Sequence, residues 1–253
     1  MEQLTLTALP DIDEIVPNDD IGMVACRALT AANIEPQAGD ILAIAQKIVS
    51  KAEKRFVSLS TIEPSDRAIE VADQTNKDPR LVELIFQQAT EISRMRKGVL
   101  ITRHKLGFVS ANSAIDRSNV PQNDAADRVL LLPENPDRSA KQIRNTILQT
   151  TGVEIGVVIT DTHGRPHRLG AIGVAIGIAG LQAVADRRGE YDRYGYELKA
   201  SQLAVADEIA AAASLLMGAA AESNPIIHIR GLKLTGSGQA SDLYRPPHLD
   251  LYR

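Results

Sequence analysis

Ile155-Gly156-Val157-Val158-Ile159-Thr160 runs directly into Asp161-Thr162-His163-Gly164-Arg165-Pro166. A short aliphatic run entered at a glycine reads as a buried strand, and the polar, glycine- and proline-containing stretch after it reads as a loop where that strand emerges. Residues 40–48 (DILAIAQKI) have the same form, and residues 226–229 make a third such run. Helical patterns occupy residues 64–76, 79–94, 139–151 and 201–217. The last has Ser201 as a candidate cap, a seam of Leu203, Ala206, Ala210, Ala213 and Met217, and Gly218 where a helix stops. Strands and helices alternate irregularly with no βαβ period, which predicts an α+β fold of mixed sheets with packed helices.

Length and composition bound what such a fold can do. The 253 residues, 44% hydrophobic and 24% charged, hold enough apolar material for a substantial core. With 28 basic against 32 acidic residues the formal charge is −4, so no basic excess exists to neutralise a nucleic-acid backbone. Cys26 stands alone, which removes intramolecular disulfides and thiolate zinc clusters. The opening Met1-Glu2-Gln3, followed by Asp11, Asp13 and Glu14, has the wrong charge order for a signal peptide, and residues 203–217 are too short and carry Asp207 and Glu208. A cytoplasmic protein without a membrane span is expected. No repeat or low-complexity tract appears, and residues 133–136 (PENP) are the most linker-like point. Residues 170–180 (GAIGVAIGIAG) suit close backbone approach to a ligand or tight packing of two elements, and composition alone favours packing.

Three clusters could carry chemistry. Asp161 and Thr162, at the mouth of the strand, are candidate ligands for a hard cation, although on spacing alone a turn residue and a local cap is the favoured reading. Asp116, in the polar stretch that follows the strand-like residues 106–110, would bring a second carboxylate, and one or two carboxylates plus phosphate oxygens are what Mg²⁺ or Mn²⁺ needs in a nucleotide site. Asn119 offers an amide to a base or phosphate, or to its own backbone. Lys47 and Lys51, four apart, share a face if the strand at residues 40–48 gives way to a helix, and could clamp phosphate or simply be solvated. His163 and His167 read as loop residues, with Arg165 or Arg168 better suited to an anionic substrate, because Gly164 and Pro166 forbid a regular helix there. No G-x-x-x-x-G-K-[ST] loop and no G-x-S-x-G elbow occurs, which excludes a Walker-type NTPase and leaves a serine hydrolase without support.

Taken in order, several motifs closely resemble the coenzyme F-420-0:L-glutamate ligases. They are Gly39-Asp40-Ile41-Leu42, Gln46-Lys47-Ile48-Val49-Ser50-Lys51-Ala52-Glu53, Ile115-Asp116-Arg117-Ser118-Asn119-Val120, Val158 to Arg165, Tyr194-Gly195-Tyr196-Glu197-Leu198 and Val205-Ala206-Asp207-Glu208-Ile209-Ala210. The resemblance runs nearly end to end and implies one unit over residues 1–253, built as a two-lobed subunit in an intertwined homodimer. It implies GTP as cosubstrate, Mg²⁺ or Mn²⁺ with K⁺ as a further candidate ion, and L-glutamate and the deazaflavin F-420-0 as the molecules joined. By resemblance Asp116 and Asp161 ligate one metal and Thr162 a second, and Asp116, Asp161 and Lys51 are the catalytic set. Leu9, Pro10, Asp11, Ile12, Gln46, Lys51 and Asn119 would contact GTP.

The chain departs from the family pattern at identifiable points. Ala219 stands after Met217-Gly218 where some members carry a glutamate used on the second metal, and Glu222 is nearby but not aligned. Ala114 and Lys54 replace glycines usual in the family, and Ala171-Ile172-Gly173 follows the archaeal rather than the bacterial form. The readings that compete with ligation are a nucleotide- or deazaflavin-binding protein of the same fold that has lost activity, and a ligase for a different acid.

Overall fold

Along residues 41–44 successive side chains point to opposite sides, and the core divides accordingly. Leu42 and Ile44 belong to one buried apolar cluster, Ile41 and Ala43 to another. A computed structural model describes residues 3–121 and 127–250. Its strands are β1 (Thr5–Ala8), β2 (Ile41–Ala45), β3 (Phe56–Ser58), β4 (Ala89–Arg96), β5 (Val99–His104), β6 (Val109–Ala111), β7 (Arg128–Leu130), β8 (Gly156–Arg165), β9 (Arg168–Ala179), β10 (Ala185–Asp186), β11 (Gln202–Leu203) and β12 (Ile226–Arg230). Its α-helices are α1 (Ile21–Ala31), α2 (Gln46–Ala52), α3 (Asp66–Thr75), α4 (Pro79–Gln88), α5 (Pro136–Thr151) and α6 (Val205–Met217). The expected mixture of sheets and packed helices is present.

The central sheet has the order β1-β12-β2-β8-β9, with β2 and β8 parallel and the other neighbours antiparallel. Helices α1 and α5 cover one face, contributing Val24, Ala25, Leu29, Ile143 and Ile147 to its cluster. Helix α6 covers the other with Ala206, Ile209, Ala210 and Ala213. Sheet β4-β5-β6 and helices α3 and α4 enclose a separate cluster around Val71, Val82, Ile85 and Leu100, and the β3-β7 pair lies over a fourth around Leu59, Leu84, Val129 and Leu131. No described helix is long and apolar enough to cross a membrane.

Several expected boundaries move. Strand β2 stops at Ala45 and α2 begins at Gln46, so Lys47 and Lys51 do share a helix. The helix expected over residues 79–94 ends at Gln88, where Ala89 turns extended and β4 pairs with β5. Residues 133–136 are no linker: Asn135 caps α5 by accepting from the Arg138 N–H at 2.9 Å, and Pro136 takes the first turn, where its missing N–H costs nothing. Ser201 is not the cap of α6, which starts after Ala204, and Leu203 lies exposed on β11. The strand expected over residues 106–110 sits at Val109–Ala111, with Gly107 in the turn before it. Residues 170–180 form most of β9, and they are small because both faces are crowded. A methyl group at Gly173 would stand 2.4 Å from the Ala210 carbonyl oxygen of α6, and one at Gly177 2.5 Å from the Pro136 carbonyl oxygen of α5. Packing, the reading composition favoured, is the main reason.

Candidate functional site

Strand β8 does not end in a loop at Asp161, as expected, but continues to Arg165 and turns through Pro166 and His167 into β9. The polar residues are tolerated in a strand because they border an open space. Thr160, Asp161 and Thr162 all line a cleft of about 770 Å³ at the end of the sheet where β2 gives way to α2. The other walls come from α2, from residues around Asp116, and from the end of α6 with the loop that follows it.

Asp116 is carried by an unusual piece of backbone. Asn112, Ser113 and Ala114 in succession take φ of 52°, 50° and 52°, a left-handed turn that L residues adopt at a cost. It is fastened from within: Thr102 Oγ1 accepts the Ser113 N–H at 3.1 Å, and the two hydroxyls share a 2.7 Å hydrogen bond. Beyond the turn, Asp116 exchanges both main-chain hydrogen bonds with Leu130, each 2.9 Å. Its side chain accepts from Gln46 Nε2 at 2.5 Å and lies 3.3 Å from Lys47 Nζ, which also donates to Ser118 Oγ at 2.8 Å. Gln46 is itself held, because its Oε1 accepts from the fully buried Ser50 hydroxyl at 2.9 Å.

The two aspartates occupy one electrostatic environment. Burial pushes the Asp116 carboxyl up to about 6; Lys47 draws it back, and the charge of Asp161 pushes it further up. Asp161 Oδ2 is 2.9 Å from His163 Nε2. Lys51 is 6% exposed and reaches Glu14 Oε1 at 2.5 Å. Asn119 donates to the Ala220 carbonyl oxygen at 3.0 Å, which ties the Asp116 segment to the loop after α6.

Asp116, Asp161, Thr162, Gln46, Lys51, Asn119 and Ile12 therefore all face one cleft, together with Lys47. Leu9 is buried in the core, and Pro10 and Asp11 are not among the cleft-lining residues, although Ile12 beyond them is. Arg165 and Arg168, favoured from sequence for an anion, lie outside the lining as well. His163 is no loop residue: it is buried on β8. Its spacing of two from Asp161 on a strand would have placed both on one face, had the strand been extended that far. Glu14 and the small polar residues Ser214, Ser223 and Asn224 also line the cleft, and none stood out in sequence.

Two carboxylates and a threonine hydroxyl are hard oxygen donors of the kind Mg²⁺ and Mn²⁺ take, and a like charge beside a carboxyl raised to about 6 is the imbalance a cation relieves. Among the described residues, no group of three or more His, Cys, Asp or Glu side chains is arranged to hold an ion. Asp116, Asp161 and Thr162 thus have the donor chemistry to hold a hard cation.

Comparison with known proteins places the chain in a family. Residues 11–231 match the family model described as F420-0:Gamma-glutamyl ligase. A protein named coenzyme F420:L-glutamate ligase from Methanothermobacter thermautotrophicus is 43% identical over 253 residues, covering 99% of each chain. Proteins of the same name from Methanopyrus kandleri and Archaeoglobus fulgidus are 43% and 37% identical, over 99% and 100% of this chain and 98% and 96% of theirs. With the model spanning most of the chain and relatives this similar along their whole length, the protein belongs to the F420-0:gamma-glutamyl ligase family.

Proposed function

We propose that the chain is a GTP-dependent ligase that joins L-glutamate through an amide bond to the terminal carboxylate of coenzyme F-420-0, with a second, gamma-linked glutamate as a further product. The observation that carries this is the meeting of Asp116 and Asp161, 45 residues apart in sequence, in a cleft that also holds Lys47, Lys51, Gln46 and Asn119. The names of the relatives support the reaction class and both organic substrates.

The acceptor's carboxylate oxygen would attack the γ-phosphorus of GTP, releasing GDP and leaving an acyl phosphate. The glutamate amine would then attack the acyl carbon, phosphate would leave, and the nitrogen would give up a proton. Asp116 and Asp161 would hold one Mg²⁺ or Mn²⁺ and Thr162 would reach a second, and such ions neutralise phosphoryl oxygens. The rest of the task falls on side chains that place anions in line. Lys51 would exchange Glu14 for a phosphate oxygen, and Lys47 would move from Asp116 to phosphate once a cation takes over that carboxylate. Asn119 and the segment Leu9-Pro10-Asp11-Ile12 would contact the nucleotide. A K⁺ ion, a two-lobed subunit, an intertwined homodimer and a cytoplasmic location complete the proposal.

The test is incubation of the pure chain with GTP, Mn²⁺, L-glutamate and the deazaflavin acid, followed by mass spectrometry. A product heavier by one glutamyl residue, with stoichiometric GDP, is expected. Binding of GTP without any heavier product would replace this reading with that of a nucleotide-binding protein.

A further inference from the structure

Behind Asp161 lies a second, smaller cavity of about 140 Å³, lined by Phe108, His163, Asp207 and Tyr244 among others. Asp161 lines the large cleft and not this cavity, whereas His163 lines this cavity and not the cleft. The 2.9 Å bond between His163 Nε2 and Asp161 Oδ2 therefore crosses the wall between the two spaces. With the Asp161 oxygen accepting, Nε2 is the donor.

We infer that His163 is a positioning residue, which fixes the Asp161 carboxylate from behind so that its remaining lone pairs meet the cation in the cleft. The inference rests on the metal-nucleotide reading above. Pairing of β8 with β9, Asp161 opposite Val174 and His163 opposite Ile172, fixes the main chain but leaves the aspartate side chain free to turn. The imidazole removes that freedom only if it is itself immobile, and it is. His163 is 9% exposed, and its ring packs at 4.8 Å against Phe108. Phe108 stacks on His104 at 5.1 Å with 7° between the planes, and Tyr244 meets its edge at 6.1 Å. A column of rings thus backs one hydrogen bond, the arrangement by which outer residues orient a ligand and tune its affinity.

His163→Phe keeps a ring against Phe108 and deletes the N–H. His163→Gln places an amide N–H near the former Nε2. Mn²⁺ uptake with GTP present, followed by electron paramagnetic resonance of the free ion, reads the effect without turnover. His163→Phe should weaken Mn²⁺ binding by about 10- to 100-fold, and His163→Gln should recover most of it. The Mn²⁺ concentration for half-maximal ligation should rise more than kcat at saturating Mn²⁺ falls. His163→Phe in an Asp161→Asn background should add nothing further. A folded His163→Phe chain that binds Mn²⁺ as the unsubstituted chain does would overturn the inference. If the Phe variant does not fold, His163→Met is read by the same criteria. An unsubstituted chain that takes up no Mn²⁺ with GTP overturns the metal reading and this inference with it, whereas loss of the positioning effect alone leaves the ligase reading intact.

Discussion

Replacing Asp161 by Asn preserves the shape of the side chain and its capacity to accept from His163 while removing the charge a cation requires. Glutamylation by Asp161→Asn should fall by about 100-fold or more, with the melting temperature within a few degrees of the parent, as checked by turnover and calorimetry. Lys54 makes an independent test of local geometry. It sits just past α2 at φ 60°, and its N–H and that of Arg55 bond the carbonyls of Lys51 and Ser50, the paired bonds of a Schellman ending. This is one of the two positions at which the resemblance leads one to expect glycine, and a left-handed backbone is one that glycine adopts without strain. Lys54→Gly should raise stability by roughly 0.5–1 kcal/mol in urea titration. Ala114→Gly should gain less, because the Ala114 methyl packs against the main core.

At the scale of elements, apolar pattern was legible where a segment is buried on both sides and obscure where it is not. Strands β2, β8 and β12 stood out as aliphatic runs because the central sheet is covered on both faces. Helix α1 has the periodicity that would have revealed it, Ile21, Val24, Ala25, Ala28 and Leu29 after the Asp20 cap, but its many alanines blur the apolar face. Strand β4 was absorbed into a helix because most of its side chains are at least partly exposed and its register is broken twice, leaving no clean alternation to read. The carboxylates of the site were legible as residue types, and their convergence was not, since it depends on a left-handed turn and a single bridge to Leu130 that no periodicity encodes. Strand β9 gives the sharpest element-level test. Gly177→Ala would drive a methyl into the Pro136 main chain at the start of α5, and the helix cannot yield without disturbing Asp137, which accepts from the Ile178 N–H at 2.8 Å. A loss of about 2 kcal/mol is expected in denaturant unfolding, within the range that overpacking a core costs.

Across the whole molecule, acid should act at two stages. Burial holds His104 neutral down to about pH 4, below its ordinary 6.5, so the unfolded chain binds a proton there before the folded one does. The His104 contribution to stability is therefore full above pH 6.5 and is lost, by about 3 kcal/mol, as pH falls from 6.5 to about 4, while Asp116, raised from 3.8 to about 6, acts in the opposite direction over much of the same range. Asp40 acts lower. Burial alone would raise its carboxyl, but hydrogen bonds from Arg230 and His228 more than offset this and leave it below 3.8, so its contribution is present above 3.8 and is lost on further acidification. Unfolding midpoints of the parent and of His104→Phe, measured side by side from pH 7 to 4, should shift relative to each other in favour of the variant as pH falls, because only the parent loses the His104 contribution.

The left-handed turn hands Asp116 to a part of the chain distinct from that of Asp161: Ile115 beside it packs on the clusters around Leu100 and Val129, while β8 belongs to the central sheet. A cation gripped by both would join two apolar clusters of one chain across the cleft. With Mn²⁺ and GTP bound, calorimetry should record a single sharp transition. Stripped with chelator, the same sample should melt earlier.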